Sequence, residues 1–215
     1  VQSCATTECA QALRSSADLP FPTPEKLISA CVEPKIQRAL LARFTAERCR
    51  FITCESAKQH LKFDQVNGET VGADRIANAV AAALDRTPVI VVDCGTAITL
   101  EAVDADRQFL SIAILPGRRL ARQALNNFTG QLPDVAMASE LPPMPAETTA
   151  HAIRNGCDRG TLGAVEKLIQ DAQEMLDSPA RVVLTGGDAE FFSSHLDCPH
   201  TVDQILTLRG VAALL

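Results

Sequence analysis

The run Val89-Ile90-Val91-Val92-Asp93-Cys94-Gly95-Thr96 sets the tightest limit on the fold. An unbroken stretch of β-branched apolar residues reads as a strand buried on both faces, the pattern of strands in α/β proteins. The strand then delivers a carboxylate, Asp93, to its C-terminal end, and Gly95 lets the backbone turn there. A second such unit follows later, where Arg181-Val182-Val183-Leu184 leads into Thr185-Gly186-Gly187-Asp188. Buried strands alternating with helical stretches imply an α/β fold.

Periodicity fills in the remaining elements. Leu27–Val32 reads as a short strand ending at Glu33-Pro34, after an irregular stretch over 1–26 in which Leu19–Pro24 forms a connector. A helix is predicted over 35–48, with Ile36, Leu40, Leu41 and Phe44 on one stripe, and a strand over Arg50–Thr53. Asp74 opens a helix carrying Ile76, Val80, Ala83 and Leu84 at helical spacing, and Pro88 ends that section. Beyond Asp93 a hairpin is predicted through Ala97–Leu100, Val103–Asp106 and Phe109–Leu115, broken by Pro116-Gly117. Residues 118–128 read as a helix with Leu120, Ala121, Ala124, Leu125 and Phe128 inward. A proline-rich stretch at 141–145 precedes a long helix from Thr149 to Leu176, with Gly156, Gly160 and Gly163 on or near one face. Each interior glycine costs ~1 kcal/mol against alanine, so close packing of helix on helix or subunit on subunit is expected there. A short helix is expected over Ala189–Leu196. The chain divides into two unequal parts, 1–87 and 88–215.

Composition then excludes several roles. A chain of 215 residues can bury a core without disulfide or metal staples. The net charge of −6 and the absence of Trp and Tyr argue against a nucleic-acid partner. No apolar run approaches the ~20 residues of a membrane-spanning helix, because Asp93 interrupts the best candidate. The first twenty residues contain no apolar core of a secretory signal. The eight cysteines form no C-x-x-C pair and read as reduced thiols of a cytoplasmic protein. Cys198-Pro199-His200 could offer two metal ligands, with no second pair nearby.

Three turns could carry chemistry. At Asp93–Thr99 a carboxylate, backbone amides and two hydroxyls suit a phosphate with Mg²⁺, although an Asp bonding its own backbone would give the same residues. In Gly72-Ala73-Asp74-Arg75, Asp74 is either a helix cap or a general base at a substrate hydroxyl, with Arg75 fixing an anion. At Thr185–Asp188 the paired glycines are either a plain strand-to-helix turn or room for a flat or phosphorylated ligand over a helix start.

Taken in order, these segments resemble those of the type III pantothenate kinases, members of the actin-like ATPase superfamily. Gly72-Ala73-Asp74-Arg75-Ile76-Ala77-Asn78 resembles the G-x-D-R segment, and Asp93-Cys94-Gly95-Thr96-Ala97-Ile98-Thr99 the D-x-G-T-A-x-T segment. Ile114-Leu115-Pro116-Gly117 is similar to the I-x-P-G turn, and Thr129–Pro133 to T-x-x-L-P. Thr149 followed by Ala152-Ile153-Arg154-Asn155-Gly156 resembles a helix start, Thr185–Ala189 the T-G-G-D-A turn, and Leu206–Gly210 the closing segment.

The resemblance implies a two-lobed, ribonuclease H-like fold and ATP-dependent phosphorylation of pantothenate, the first step of coenzyme A synthesis. It implies Asp74 as the base, and Gly72, Arg75 and Thr149 as pantothenate contacts, Thr149 from the partner subunit of a homodimer. Asp93, Gly95 and Thr96 would face the ATP phosphates, and Gly186 and Gly187 would border the nucleotide. Mg²⁺ and a monovalent cation, K⁺ or NH₄⁺, are implied too, with Glu101 standing where the family carries an acidic cation ligand. The family's D-x-G-N-T segment has no counterpart before Leu27, so the first lobe is expected to be incomplete at its start. That departure leaves an alternative: a non-catalytic binding or regulatory relative. The family's Gly-Gly before I-x-P-G is Ser111-Ile112 here, and Gln65 is nearest to its substrate-facing Tyr.

Overall fold

The computed structural model describes residues 27–31, 34–44 and 48–214. The irregular stretch and connector expected before Leu27, and the end of the first strand at Val32 and Glu33, lie outside the described residues. The chain forms two compact units, one reaching to Asp85 and taking up the C-terminal residues from Ile205, the other Arg86–Gln204. The second unit therefore ends before the C-terminal helix.

In the first unit, β1 (Leu27–Ser29) and β2 (Cys49–Phe51) pair in parallel, Leu27 with Cys49 and Ser29 with Phe51. Parallel neighbours need a crossover, and α1 (Pro34–Arg43) supplies it. Ile36, Leu40 and Phe44 are buried with Cys49 as expected, whereas Leu41 is 45% exposed. Leu41 follows Leu40 by one residue, which turns it about 100° away from the buried line. A short helix, α2 (Cys54–Ala57), starts in a capping box between Thr53 and Ser56.

The main element of this unit is α3 (Ala73–Asp85), whose residues are buried from Arg75 through Ala83. It carries alanine at five of those positions, which allows a close neighbour. That neighbour is α8 (Leu206–Ala213): a Cβ on Gly210 would lie 1.8 Å from the carbonyl oxygen of Ala77. Around this crossing Thr207 Oγ1 donates to Asn78 Oδ1 at 2.6 Å, and Arg209 pairs with Asp85 at 2.6 Å.

The second unit is built on a five-stranded mixed sheet in the order β5-β4-β3-β6-β7. Its strands are β3 (Val89–Cys94), β4 (Ala97–Val103), β5 (Phe109–Pro116), β6 (Arg181–Thr185) and β7 (Thr201–Val202). β3 pairs in parallel with β6, and β3, β4 and β5 form the antiparallel meander expected from sequence. β7, parallel to β6, is not legible in its two residues.

Alternation divides the sheet into two faces. Ile90, Val92, Cys94, Ile98, Leu100, Val182 and Leu184 form one core with Leu162, Val165, Ile169 and Ala172 of α6 (Gly160–Met175). The opposite face carries Asp93, Thr99, Glu101 and Thr185, since Asp93 registers with both Thr99 and Thr185. Pairing with β5 shifts register between Leu100 and Glu101, leaving Ile112 as the extra residue of a bulge.

Two helical expectations need correction. In α4 (Arg118–Phe128) the buried residues are Arg118 and Arg122, while Leu120 is 41% and Phe128 87% exposed. Leu120, Ala124 and Phe128 therefore face out and Ala121 and Leu125 are only half-buried, because the arginines have ionic partners inside. The long helix predicted from Thr149 is interrupted: α5 (Thr149–Arg154) passes through a π-helical turn, Asn155–Arg159, into α6. Gly156, Gly160 and Gly163 meet nothing within 4 Å of an added Cβ, so the close packing expected of them is absent within the described residues.

Candidate phosphate-binding turns

The C-terminal ends of the parallel strands β3 and β6 are adjacent, which is where open α/β sheets place ligand-binding turns. Three segments distant in sequence meet there. Gly186 adopts φ +91°, and an added Cβ would stand 2.5 Å from Asp93 Oδ1 and 2.7 Å from the carbonyl carbon of Cys94. Only glycine tolerates both the backbone angle and the approach. The amide of Asp188 donates to the Cys94 carbonyl at 2.9 Å, which fastens the glycine turn to the end of β3.

On the other side, the Gly117 amide donates to the Thr96 carbonyl at 2.9 Å, and a Cβ there would lie 2.3 Å from the Gly95 carbonyl oxygen. The Gly95 amide donates to Ala97 O at 3.1 Å and closes the turn itself. Asp93, Gly95, Gly117 and Gly186 are thus held in one compact set of turns, with Thr96 exposed at its rim.

Burial and the neighbouring Asp93 and Asp188 carboxylates push the Cys94 thiol far above its ordinary value of 9.0. Its side chain belongs to the apolar core and stays a protonated thiol. Of the strand residues on the Asp93 face, Glu101 is fully buried, and Thr99 Oγ1 is buried with no hydrogen-bond partner among the described residues.

Asp188 caps no amide of α7 (Ala189–Ser193). Its carboxylate instead accepts from Arg118 Nη1 at 3.4 Å. With only five residues, α7 offers little of the helix-start field expected from the sequence. Arg118, Arg122 and Asp158 form a buried ionic group that sequence reasoning missed, since its members lie on α4 and the π turn with no shared motif.

The remaining candidate residues are divided between the two units. In the first unit Asp74 sits in the first turn of α3, partly exposed, and accepts from the Arg75 amide at 2.8 Å. Arg75 is only 7% exposed, and the Gly72 carbonyl accepts from the Ile76 amide at 3.1 Å. In the second unit the cap of α5 is Thr148, whose hydroxyl accepts from the His151 amide at 3.1 Å, leaving Thr149 exposed on the first turn. His200 is held by Cys198 O at 2.7 Å and Ser193 Oγ at 2.9 Å. No group of three His, Cys, Asp or Glu among the described residues could hold a metal ion.

Residues 2–171 match the family model described as type III pantothenate kinase. The type III pantothenate kinase of Treponema pallidum (strain Nichols) is 43% identical over 143 residues, which make up 66% of this chain and 52% of that protein. That of Rhodospirillum rubrum is 40% identical over 144 residues, 66% of this chain and 56% of the relative. That of Syntrophotalea carbinolica is 32% identical over 201 residues, covering 92% and 78%. The chain spans about half the length of the first two of these curated relatives. A Baf family protein from Campylobacter jejuni, known from its crystal structure, shares the fold with TM-score 0.62 and 20% identity over 95% of this chain and 85% of that one. With the family model matched over residues 2–171, the chain belongs to the type III pantothenate kinase family.

Proposed function

We propose that the chain acts in ATP-dependent phosphorylation of pantothenate to 4'-phosphopantothenate, the first step of coenzyme A biosynthesis. The observation that carries this reading is the convergence of the Asp93, Gly117 and Gly186 turns at the ends of β3 and β6. Backbone close to the ligand, amides nearby and one carboxylate are what phosphoryl transfer asks of a protein, since its catalysis is mostly positioning and charge neutralisation.

In this reaction the pantothenate hydroxyl oxygen forms a bond to the γ-phosphorus of ATP. The bond from that phosphorus to the β,γ-bridging oxygen breaks, and ADP leaves. Asp74 takes the hydroxyl proton; its partly exposed carboxylate at a helix start accepts a backbone amide and leaves lone pairs open to a substrate hydroxyl. Gly72, Arg75 and Thr149 contact pantothenate, Arg75 from a largely buried position. Asp93, Gly95 and Thr96 face the ATP phosphates, and Gly186 and Gly187 border the nucleotide.

One strand-end carboxylate fits Mg²⁺, which takes one or two carboxylates and leaves its other positions to phosphate oxygens and water. Asp93 would hold that ion, whose charge neutralises the phosphates. A monovalent cation, K⁺ or NH₄⁺, fits the buried face that carries Glu101 and the unpartnered hydroxyl of Thr99.

The two-lobed actin-like, ribonuclease H-like architecture, with its boundary near residue 87 and the C-terminal helix returned to the first unit, belongs to the same reading. So does a homodimer that supplies Thr149 across subunits. The outward apolar residues Leu120 and Phe128 of α4 support it, as does the open glycine ridge at Gly156, Gly160 and Gly163. A cytoplasmic location fits the free thiols of Cys31, Cys49, Cys54, Cys94, Cys157 and Cys198. No helix among the described residues is long and apolar enough to cross a membrane.

The test is a coupled assay of ADP release with and without pantothenate. Turnover that needs pantothenate and is lost in Asp74→Asn is the expected result; binding of pantothenate without turnover contradicts it.

A further inference from the structure

Arg118 follows directly on the Pro116-Gly117 turn and is 2% exposed. Each arm of its guanidinium is used. Nε donates to Asp158 Oδ1 at 2.8 Å, Nη2 to the Ala138 carbonyl at 2.6 Å, and Nη1 to Asp188 Oδ1 at 3.4 Å. The guanidinium carbon lies 3.3 Å from the ring centroid of Phe191, the third residue of α7. Asp158 is fully buried at the π turn and also accepts from Arg122 Nη2 at 2.6 Å, with Arg154 Nε 4.0 Å from its other oxygen.

A buried ion pair is weak evidence for stability, because apolar side chains of similar volume serve as well or better. What such a pair does supply is direction: a planar fork held at three points cannot rotate. Here the fixed end is Asp158, anchored between two arginines. The working end points to Asp188, the least buried member of the group, whose side chain is 26% exposed. Asp188 in turn fastens the glycine turn to β3 through its amide.

We propose that Arg118 is a positioning residue for the nucleotide-bordering turn: anchored on Asp158, it holds Asp188 and Phe191 and so fixes Gly186 against the end of β3. This inference rests on the reading of Gly186 and Gly187 as the nucleotide border. It explains why α4 turns arginines inward and leucine and phenylalanine outward.

The test is amide hydrogen exchange on the whole chain, wild type against Arg118→Met and Asp188→Ala. Both variants are expected to speed exchange of the Asp188 and Ala189 amides at least tenfold while the β3 amides stay within about twofold. Unchanged protection at 188–189 overturns the proposal, and so does acceleration spread evenly over β3 and β6, which would mark general loosening. If Arg118→Met does not fold, Asp188→Ala decides alone, since it removes only the exposed end of the group.

Steady-state kinetics gives a second readout. In both variants KM for ATP is expected to rise at least fivefold with KM for pantothenate within twofold, and the double variant to be no worse than the worse single one. An unchanged KM for ATP contradicts the proposal. Wild type without pantothenate-dependent turnover would instead refute the proposed function, and exchange at 188–189 would still decide the role of Arg118.

Discussion

Single residues carry the sharpest expectations, and two glycines carry the most. A methyl group at Gly186 would need φ +91° and would press on Asp93 Oδ1 at 2.5 Å. Gly186→Ala is therefore expected to cost about 1–3 kcal/mol of stability and to raise KM for ATP, measured by urea unfolding and steady-state kinetics. Gly210→Ala meets the Ala77 carbonyl at 1.8 Å and is expected to cost about 3 kcal/mol, near the upper end of overpacking penalties. Its effect is expected on stability, not on the proposed phosphate-binding turns. The Thr185-Gly186-Gly187-Asp188 pattern is legible because glycines directly after an apolar strand mark a turn, and Gly186 is the one the turn requires. Gly210 is legible only as part of a familiar closing segment, since nothing local marks the partner helix.

Thiols give a pH expectation at the same scale. Burial raises Cys49, Cys94, Cys157 and Cys198 above the ordinary value of 9.0. A raised folded pKa means that the unfolded chain loses these protons first. The contribution is fully present below about pH 9, and stability falls as pH rises beyond it. Urea midpoints between pH 7 and 10 check this: they should stay flat for these groups up to about 9 and drop above it. A steady rise to pH 10 would contradict the assignment.

Among the elements, α4 is where pattern and structure part. Its spacing of Leu120, Ala124 and Phe128 is that of a buried stripe, yet the structure buries Arg118 and Arg122. Periodicity reports which residues share a face, and the hydrophobic rule then assigns that face inward. Here Asp158, forty residues from Arg118 in sequence, reverses the assignment, and no local signal announces it. The π turn is similarly invisible, because it carries the helix from α5 straight into α6 with no proline to mark a break. By contrast β3 and β6 are legible to within a residue, since buried strands declare themselves by continuous apolar runs, and β5 is legible from the turn residues that bound it although only Phe109 of it is buried. β4 runs on from Leu100 to Val103, past the point where the pattern places its end, because Glu101 is buried in the sheet.

Two expectations belong to this scale. Asp158→Leu alone takes the carboxylate from the buried Arg122 and the Nε acceptor from the buried Arg118, and should lower stability by about 3–5 kcal/mol in urea unfolding. Phe128→Glu combined with Leu120→Glu should convert the proposed dimer to monomer in sedimentation. Both side chains are exposed within the chain, so any fall in thermal stability should be only what the dimer supplies through mass action and should vary with protein concentration. A dimer that survives both changes excludes this face.

At the scale of the whole molecule, the α/β class is readable from alternating elements. The return of the C-terminal helix to the first unit is not, because it depends on the α3–α8 crossing. Of the candidate site, the second unit brings the turns at Asp93, Gly117 and Gly186 together, although they are far apart in sequence. In the first unit Asp74 keeps a partly exposed carboxylate, while Arg75 is buried, a difference that adjacent positions on one helix turn do not announce.

Asp74, the proposed base in phosphorylation of pantothenate, can be tested directly by its removal. The measurement is pantothenate-dependent ADP formation by wild type and Asp74→Asn, alongside ATP affinity by calorimetry. Loss of about 10²–10⁴ in kcat with ATP affinity unchanged is expected, the range for removing a general base. Equal turnover by the two proteins would remove Asp74 as the proposed base, and turnover indifferent to pantothenate would remove pantothenate as the proposed substrate.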